Sequence, residues 1–304
     1  MNKQSQELIF NNLICPLSKE NLILKNLKVD ESGLIESGEL FEKNTNKYSI
    51  NNGSIDFVYI NAGKQDVIYP LEKQGYVDKL IKNGWTYDKI SKMDLLRNNI
   101  NDLLDFYINK YAEGVLLEVG SGGSYLKDRY FNSVENWVTS DYDIRAKVDI
   151  RCDGQSLPFK ENLFDTILCI DVLEHVPNPH QMIAELVRVL KPGGVLILST
   201  PFFFYLHESP NDFTRFSKFG LINLFQNNKM SVIDLKPTGG IIATLGILIT
   251  ASIVHIFYRF KYLCNFFLLI NKYLQKLLQP IDLFINKNEK FSQGNFVISK
   301  KNKK

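Results

Sequence analysis

The chain has 304 residues, 45% of them hydrophobic, and carries 36 lysines and arginines against 33 acids for a net charge of +3. That length and apolar content bury a sizeable core and more than one structural unit, which excludes an intrinsically disordered protein. The small net charge gives no argument for a nucleic-acid partner, and the basic cluster KKNKK reads as a solvated tail. Cys15, Cys152, Cys169 and Cys264 stand far apart without a C-x-x-C pair, so neither a disulfide framework nor a zinc site is encoded, and no metal is expected. The opening MNKQSQELIFNNLI has no apolar run long enough for a secretion signal, and a cytoplasmic protein is the expectation.

In chain order, residues 1–60 read as a separate module: ICPLSKENLIL, a polar turn-rich middle, then KYSINNGSIDFV. The stretch resembles a small zinc-ribbon-like β module that begins on a C-P-x-C turn. Cys15 and Pro16 match it, but Ser18 holds the place of the second cysteine and no later pair exists. A structural zinc needs about four ligands, so the module is expected to be degenerate and zinc-less. Residues 61–88, with Pro70 and Gly75 as breakers, read as a linker. From Tyr87 to Ala112, Ile90, Met93, Leu96, Ile100, Leu103, Leu104 and Ile108 recur at helical spacing, which predicts a packing helix.

LLEVGSGGS (116–124) is an apolar run that ends in an acid and breaks into a glycine turn, the pattern of a buried strand stopping at a ligand. WVTSDYD is a second strand ending in Asp141, nineteen residues after Gly122, about where a doubly wound sheet places the acid that grips a ribose diol. VDIRCDGQSLPF leads through Asp153 to a Leu157, Pro158, Phe159 turn, and FDTILCIDVLEHV gives a strand from Thr166 to Ile170. NPHQMIAELVRVLKPGGVLILSTPF supplies a helix, a glycine stop and a fifth strand. SKFGLINLFQNN reads as a helix started by Ser217, MSVIDLKP as a sixth strand and FSQGNFVISKK as a seventh.

In order and spacing these segments resemble the class I S-adenosylmethionine (SAM) methyltransferases, in the broad group with LPF, LEHV and LKPGG segments. The resemblance covers about residues 100–236 and 291–300. It implies an α/β fold, a Rossmann-like seven-stranded sheet, with the core at 89–239, an insert at 240–290, and the last strand and basic tail at 291–304. A nicotinamide dehydrogenase competes, but its G-x-G-x-x-G fingerprint lacks a third glycine here. The methyltransferase turn usually carries a glycine where Ser124 stands.

The resemblance also implies roles. Glu118 would face the methionine amine of SAM, Gly120, Ser121 and Gly122 would line the methionine and ribose, and Asp141 would accept from both ribose hydroxyls. Tyr142 would cover the adenine face, and Asp153, Gly154 and Gln155 match the loop that meets the adenine edge. Asp171 and His175 follow the fourth strand, where the acceptor approaches, and His175 has a pKa range suited to a base. FFFYLHESPNDFTRFS resembles a H-x-x-P-x-D-x-x-R segment of bacterial methyltransferases of surface-glycan and lipid pathways. In it His207 is a candidate base, while Asp212 and Arg215 are candidates for binding a phosphate or carboxylate of the acceptor, or else for an internal ion pair that fixes the loop. The expected activity is methyl transfer to a small or lipid-linked acceptor; the alternative is a non-catalytic SAM-binding scaffold.

From Pro237 to Tyr258 no residue is charged at neutral pH, and IIATLGILITASIVHIFY approaches the length that spans a bilayer. A single crossing would strand the seventh strand away from its sheet. Three readings remain: a helical hairpin in the membrane interface, which makes a membrane surface a partner, a hydrophobic lid, or a buried or dimer-forming helix pair.

Overall fold

The structure is a computed structural model and describes residues 3–42, 46–58, 95–123, 125–130, 134, 136–257 and 259–303. The linker expected at 61–88, Ser124 and the start of the helix expected from Tyr87 lie outside the described residues.

Among the described residues eleven strands form one sheet. Near the N-terminus, helix α1 (Lys3–Phe10) precedes an antiparallel ribbon of β1 (Ile23–Val29), β2 (Ile35–Phe41), β3 (Lys47–Asn51) and β4 (Ser54–Asp56). After α2 (Leu95–Tyr111) come β5 (Val115–Val119), α3 (Tyr125–Tyr130), β6 (Asn136–Asp141), β7 (Ile150–Arg151), β8 (Phe164–Ile170), α4 (Pro179–Val189), β9 (Leu190–Pro201), α5 (Lys218–Asn227) and β10 (Met230–Pro237). Helices α6 (Ile241–Phe257) and α7 (Lys261–Ile285) then precede the final strand β11 (Gly294–Lys301). The order β7-β6-β5-β8-β9-β11-β10, with β11 antiparallel to both its neighbours, is a seven-stranded Rossmann-like sheet. The strand order reverses at β5, so a crevice opens at the carboxyl ends of β5 and β8.

Burial follows the pleat. Leu117 and Val119 of β5 face one apolar layer with Ile167, Met182, Leu186 and Phe225, while Leu116 faces the other with Tyr107, Trp137, Leu168 and Phe296. Every residue of β5 is buried, which is why a central parallel strand reads as a continuous apolar run rather than an alternating one.

The ribbon does not stand apart from this sheet. Strand β4 pairs in parallel with β7, Ile55 opposite Ile150, and the Asp56 carboxylate holds the Arg151 guanidinium. Ile14 N donates to Pro158 O at 3.0 Å and Lys160 N to Asn12 O at 3.0 Å, so the first residues also grip the Leu157–Phe159 turn. That turn is fixed from the other side by α4, where Arg188 donates to the carbonyls of Leu157 and Phe159 and Glu185 accepts from Leu157 N. Cys15 is buried with its thiol 3.2 Å from the Tyr48 hydroxyl, and the Ser18 hydroxyl accepts from Glu20 N.

One sequence expectation is corrected. The glycines of LKPGG do not end a helix before a strand begins: α4 stops at Val189, and Gly193, at φ +83°, lies inside β9. A register shift against β8 marks a bulge there, and at Gly194 a Cβ would lie 2.9 Å from the Asp165 carbonyl, so only glycine permits the close strand approach.

Candidate active site

The glycine turn leaves β5 at Gly120, whose φ is +74° and where a Cβ would lie 2.2 Å from Val172 Cγ2. No side chain fits there, so the turn passes directly under the residues that follow β8. Gly120 N and Ser121 N both donate to Ser140 O, and Gly122 N donates to Asp141 Oδ2 at 2.8 Å. Asp143 N donates to Asp141 Oδ1 at 2.8 Å. One carboxylate therefore ties the turn to the end of β6, and its remaining lone pairs stay available to further donors. Burial raises the Asp141 carboxyl above its ordinary value, and the amides of Asp143 and Gly122 oppose that. Ahead of Gly122 and Gly123 a Cβ would meet nothing within 4 Å, so open space faces the turn.

Glu118 points into the layer of Trp137, whose indole Nε1 donates to Oε2 at 2.8 Å. Desolvation pushes this carboxyl up to about 7, against the pull of the Trp137 bond and of Lys127. Tyr142 stands half exposed beside Asp141. Asp153 accepts from Gln155 N at 2.8 Å in a tight turn, while the Gln155 side-chain oxygen accepts from Asn178 N, the residue that caps α4. Gln155 thus turns towards that helix start, and Gly154 packs against Met182, which a Cβ would approach to 3.0 Å.

One strand over, Asp171 has a left-handed backbone (φ +54°) at the end of β8 and accepts from Ser199 Oγ at 2.7 Å. A non-glycine residue in this conformation is strained and is held by its surroundings. Beyond it the short 3-10 turn of residues 173–175 brings Glu174 inside with 0% exposure, and its Oε1 has no hydrogen-bond partner. His175 Nε2 lies 3.7 Å from that oxygen and His207 Nε2 lies 3.9 Å from it, and the two imidazoles meet edge to face at 4.7 Å. His175 Nδ1 lies 2.5 Å from the carbonyl of Asn211, which only accepts, so Nδ1 carries the proton. His207 Nδ1 lies 3.2 Å from Asp212 Oδ2, off the line of a good hydrogen bond but close enough for the carboxylate to favour the Nδ1–H tautomer. Burial, together with the neighbouring His175, lowers the His207 imidazole to about 4, so it is neutral at pH 7. Burial and Asp171 raise Glu174 well above its usual range. The carboxylate and the two imidazoles form, among the described residues, a set with the spacing of metal ligands.

Asp212 and Arg215 form the internal pair: the guanidinium holds both carboxylate oxygens and also donates to the carbonyls of Tyr205 and Thr214. His207 N adds a bond to Asp212 Oδ2 at 2.9 Å. The pair therefore pins the 202–216 loop and holds His207 in place.

The structure joins Gly120, Ser121 and Gly122 to the end of β6 at Ser140 and Asp141, sets Glu118 against Trp137, and brings His175 and His207 together around Glu174 beyond β8. Glu174 was not singled out by sequence, although LEH carries it: a carboxylate between Leu173 and His175 reads as a solvated turn until the fold buries it. Ser121, whose hydroxyl is buried without a partner, is the same kind of signal within the glycine turn.

Residues 117–198 match a family model described as a methyltransferase domain. An uncharacterised methyltransferase of Mycobacterium leprae is 34% identical over 97 residues, 28% of this chain and 36% of that protein. A ubiquinone biosynthesis O-methyltransferase of Pectobacterium atrosepticum is 29% identical over 128 residues, 34% of this chain and 51% of that protein. The chain thus spans between about a third and a half of the length of these relatives. A solved 1,6-didemethyltoxoflavin-N1-methyltransferase of Burkholderia thailandensis is 13% identical with a TM-score of 0.45, covering 75% of this chain and 85% of that one. The stretch that supplies the glycine turn, the Asp141 strand end and the Glu174 segment lies within the residues that match the methyltransferase-domain model.

Proposed function

We propose that the chain is a SAM-dependent methyltransferase of class I, acting in the cytoplasm or at the inner face of a membrane on a small or lipid-linked acceptor of surface-glycan or lipid biosynthesis. The observation that carries this reading is the meeting of Glu118, the Gly120–Gly123 turn and Asp141 at the point where the strand order reverses, with two histidines and a buried glutamate across the crevice. The residues fit the cofactor: open space faces Gly122 and Gly123, Ser121 offers an unpartnered hydroxyl, and Asp141 keeps acceptor capacity for a diol. When bound, SAM supplies an electrophilic methyl group on a sulfonium. Glu118, once ionised, would pair with the ammonium; Asp141 would take the ribose hydroxyls; Tyr142, Asp153, Gly154 and Gln155 would border the adenine side.

On the acceptor side, His207 is neutral at pH 7 and takes the proton of an acceptor hydroxyl at Nε2 while Asp212 steadies Nδ1. Asp212 and Arg215 act as positioning residues. Asp171 and His175 shape the same wall, His175 through its fixed tautomer. The N-terminal module is read as a degenerate zinc-ribbon-like fold that stands on its apolar strands without metal.

The test supplies the full chain with SAM carrying a labelled methyl group, together with lipid and aqueous extracts. Label should enter a product heavier by one methylene, and His207→Gln should lower kcat by about 10²–10⁴ with SAM affinity unchanged. A variant as fast as the wild type removes His207 from the proton path. SAM binding without transfer to any acceptor favours the non-catalytic scaffold.

A further inference from the structure

Helices α6 and α7 form an antiparallel hairpin that encloses several polar side chains and exposes an apolar face. Its inward face buries Thr250, Asn271, Gln275 and Asp282 together with Ile247, Val254, Cys264 and Leu268. Asn271 Nδ2 donates to Gly246 O at 3.0 Å and to Thr250 Oγ1 at 2.9 Å, bridging the two helices. Gln275 presses on Gly246, where a Cβ would lie 2.1 Å from its side-chain carbon. Asp282 caps the start of α6, accepting from the amides of Gly240, Ile242 and Ala243. The outward faces are apolar. Of the thirty exposed large hydrophobic residues among the described ones, sixteen lie between Leu245 and Ile285, among them Tyr262 at 90% and Leu277 at 73% exposure. On α7, Phe266, Leu269, Tyr273, Leu277 and Phe284 are all exposed and share one arc at helical spacing, opposite Asn271 and Gln275. A helix pair built for water buries this face and shows the amides; polar glue inside and hydrocarbon outside is the arrangement of helices in lipid.

We propose that the hairpin is a one-sided membrane dock, whose outward face enters the headgroup and acyl boundary of one leaflet of an anionic bilayer. Three further observations single out that occupant. No described helix is long and apolar enough to cross a membrane, and both ends of the hairpin are rooted at the same sheet edge, in β10 and β11. Residues 241–290 contain six lysines and arginines against two acids, one of which, Asp282, is consumed as the helix cap, so the segment complements anionic headgroups. A second copy seated on this face would oppose like charges, which disfavours a dimer as the occupant. The aromatic residues Phe260 and Tyr262, at the turn between the helices, suit the headgroup level.

The dock bears on the site directly. The segment leaving α7 is bonded to the acceptor loop, with Phe202 N donating to Gln293 O at 2.7 Å. Phe203, Leu206 and Phe213 of that loop are exposed as well. Docking therefore presents the crevice beside His207 to the leaflet and deepens the lipid-linked branch of the proposed function, although it is read without catalysis.

Flotation of the purified full chain with vesicles of phosphatidylcholine alone and of phosphatidylcholine mixed with phosphatidylglycerol is the test. The chain should float with the mixed vesicles and be released by salt. The variant L269D/L277D, placed on outward positions, should float about tenfold less while keeping its SAM affinity, which shows that the fold is intact. A chain that ignores the mixed vesicles overturns the proposal, as does a variant that floats equally well. So does a wild-type dimer that the variant dissolves without any vesicle binding, since the occupant is then a second copy. Neither SAM nor acceptor enters this assay, so its failure leaves the methyl-transfer reading standing, and failure of methyl transfer leaves the dock standing.

Discussion

Glu118 is a carboxyl placed where charge is costly, with Trp137 as its hydrogen-bond donor, and its shift from 4.5 to about 7 is a statement about folding. The folded-state value lies above the unfolded one, so the folded protein binds the extra proton. Its contribution is fully present below pH 4.5 and is lost as pH rises to about 7. The difference amounts to about 3 kcal/mol at most. In urea unfolding without SAM, the wild type should lose about 2 kcal/mol more stability than Glu118→Gln between pH 4.5 and 7.5; parallel pH curves would contradict this. A carboxyl waiting near neutrality is suited to ionise when an ammonium arrives, which connects its burial to cofactor capture. At this scale the positions of several candidate residues were legible. Glu118, Gly120 and Asp141 sit where strand ends and turns announce themselves. Glu174 was not legible, because its role comes from burial beside two histidines, His175 and the distant His207. Nor does spacing alone decide whether Arg215 faces an acceptor or Asp212; the fold of the 202–216 loop makes it the internal pair.

The elements explain why the turn is built as it is. Gly120 has both a positive φ and a neighbour, Val172, that leaves no room for a methyl group. Gly120→Ala should therefore cost stability by about 2 kcal/mol or more and weaken SAM binding, as read by denaturant melts and titration. A variant as stable as the wild type would show that the turn can relax. Strands β5, β6, β8, β9, β10 and β11 were legible as apolar runs between turn signals, since a central parallel strand needs no alternation to be recognised, whereas the two-residue β7 was too short to give such a run. The glycine pair of LKPGG was misplaced for a physical reason: Gly193 and Gly194 serve a bulge and a close strand contact, and both look the same in sequence as a helix stop. The hairpin was legible as a long apolar segment, but its meaning lay in which residues turn inwards. The pairing of Asn271 with Gly246 and Thr250 shows that polar groups join the buried Ile247, Val254 and Leu268 in holding the two helices together.

In the whole molecule, one sheet joins three regions that sequence reads apart. The N-terminal ribbon extends the β7 edge, the core carries the crevice, and the hairpin is rooted in β10 and β11 at the other edge. The site lies between them, so its two walls are braced from both sides: the Leu157–Phe159 turn by the first residues, the 202–216 loop by the segment after α7. The proposed SAM site therefore lies at the reversal of strand order. Isothermal titration of SAM into the wild type and Asp141→Ala tests it most directly. The wild type should bind, and the variant should bind about 1–3 kcal/mol more weakly, the usual cost of losing charge-assisted hydrogen bonds. Equal affinities, or no binding by the wild type, would contradict the account.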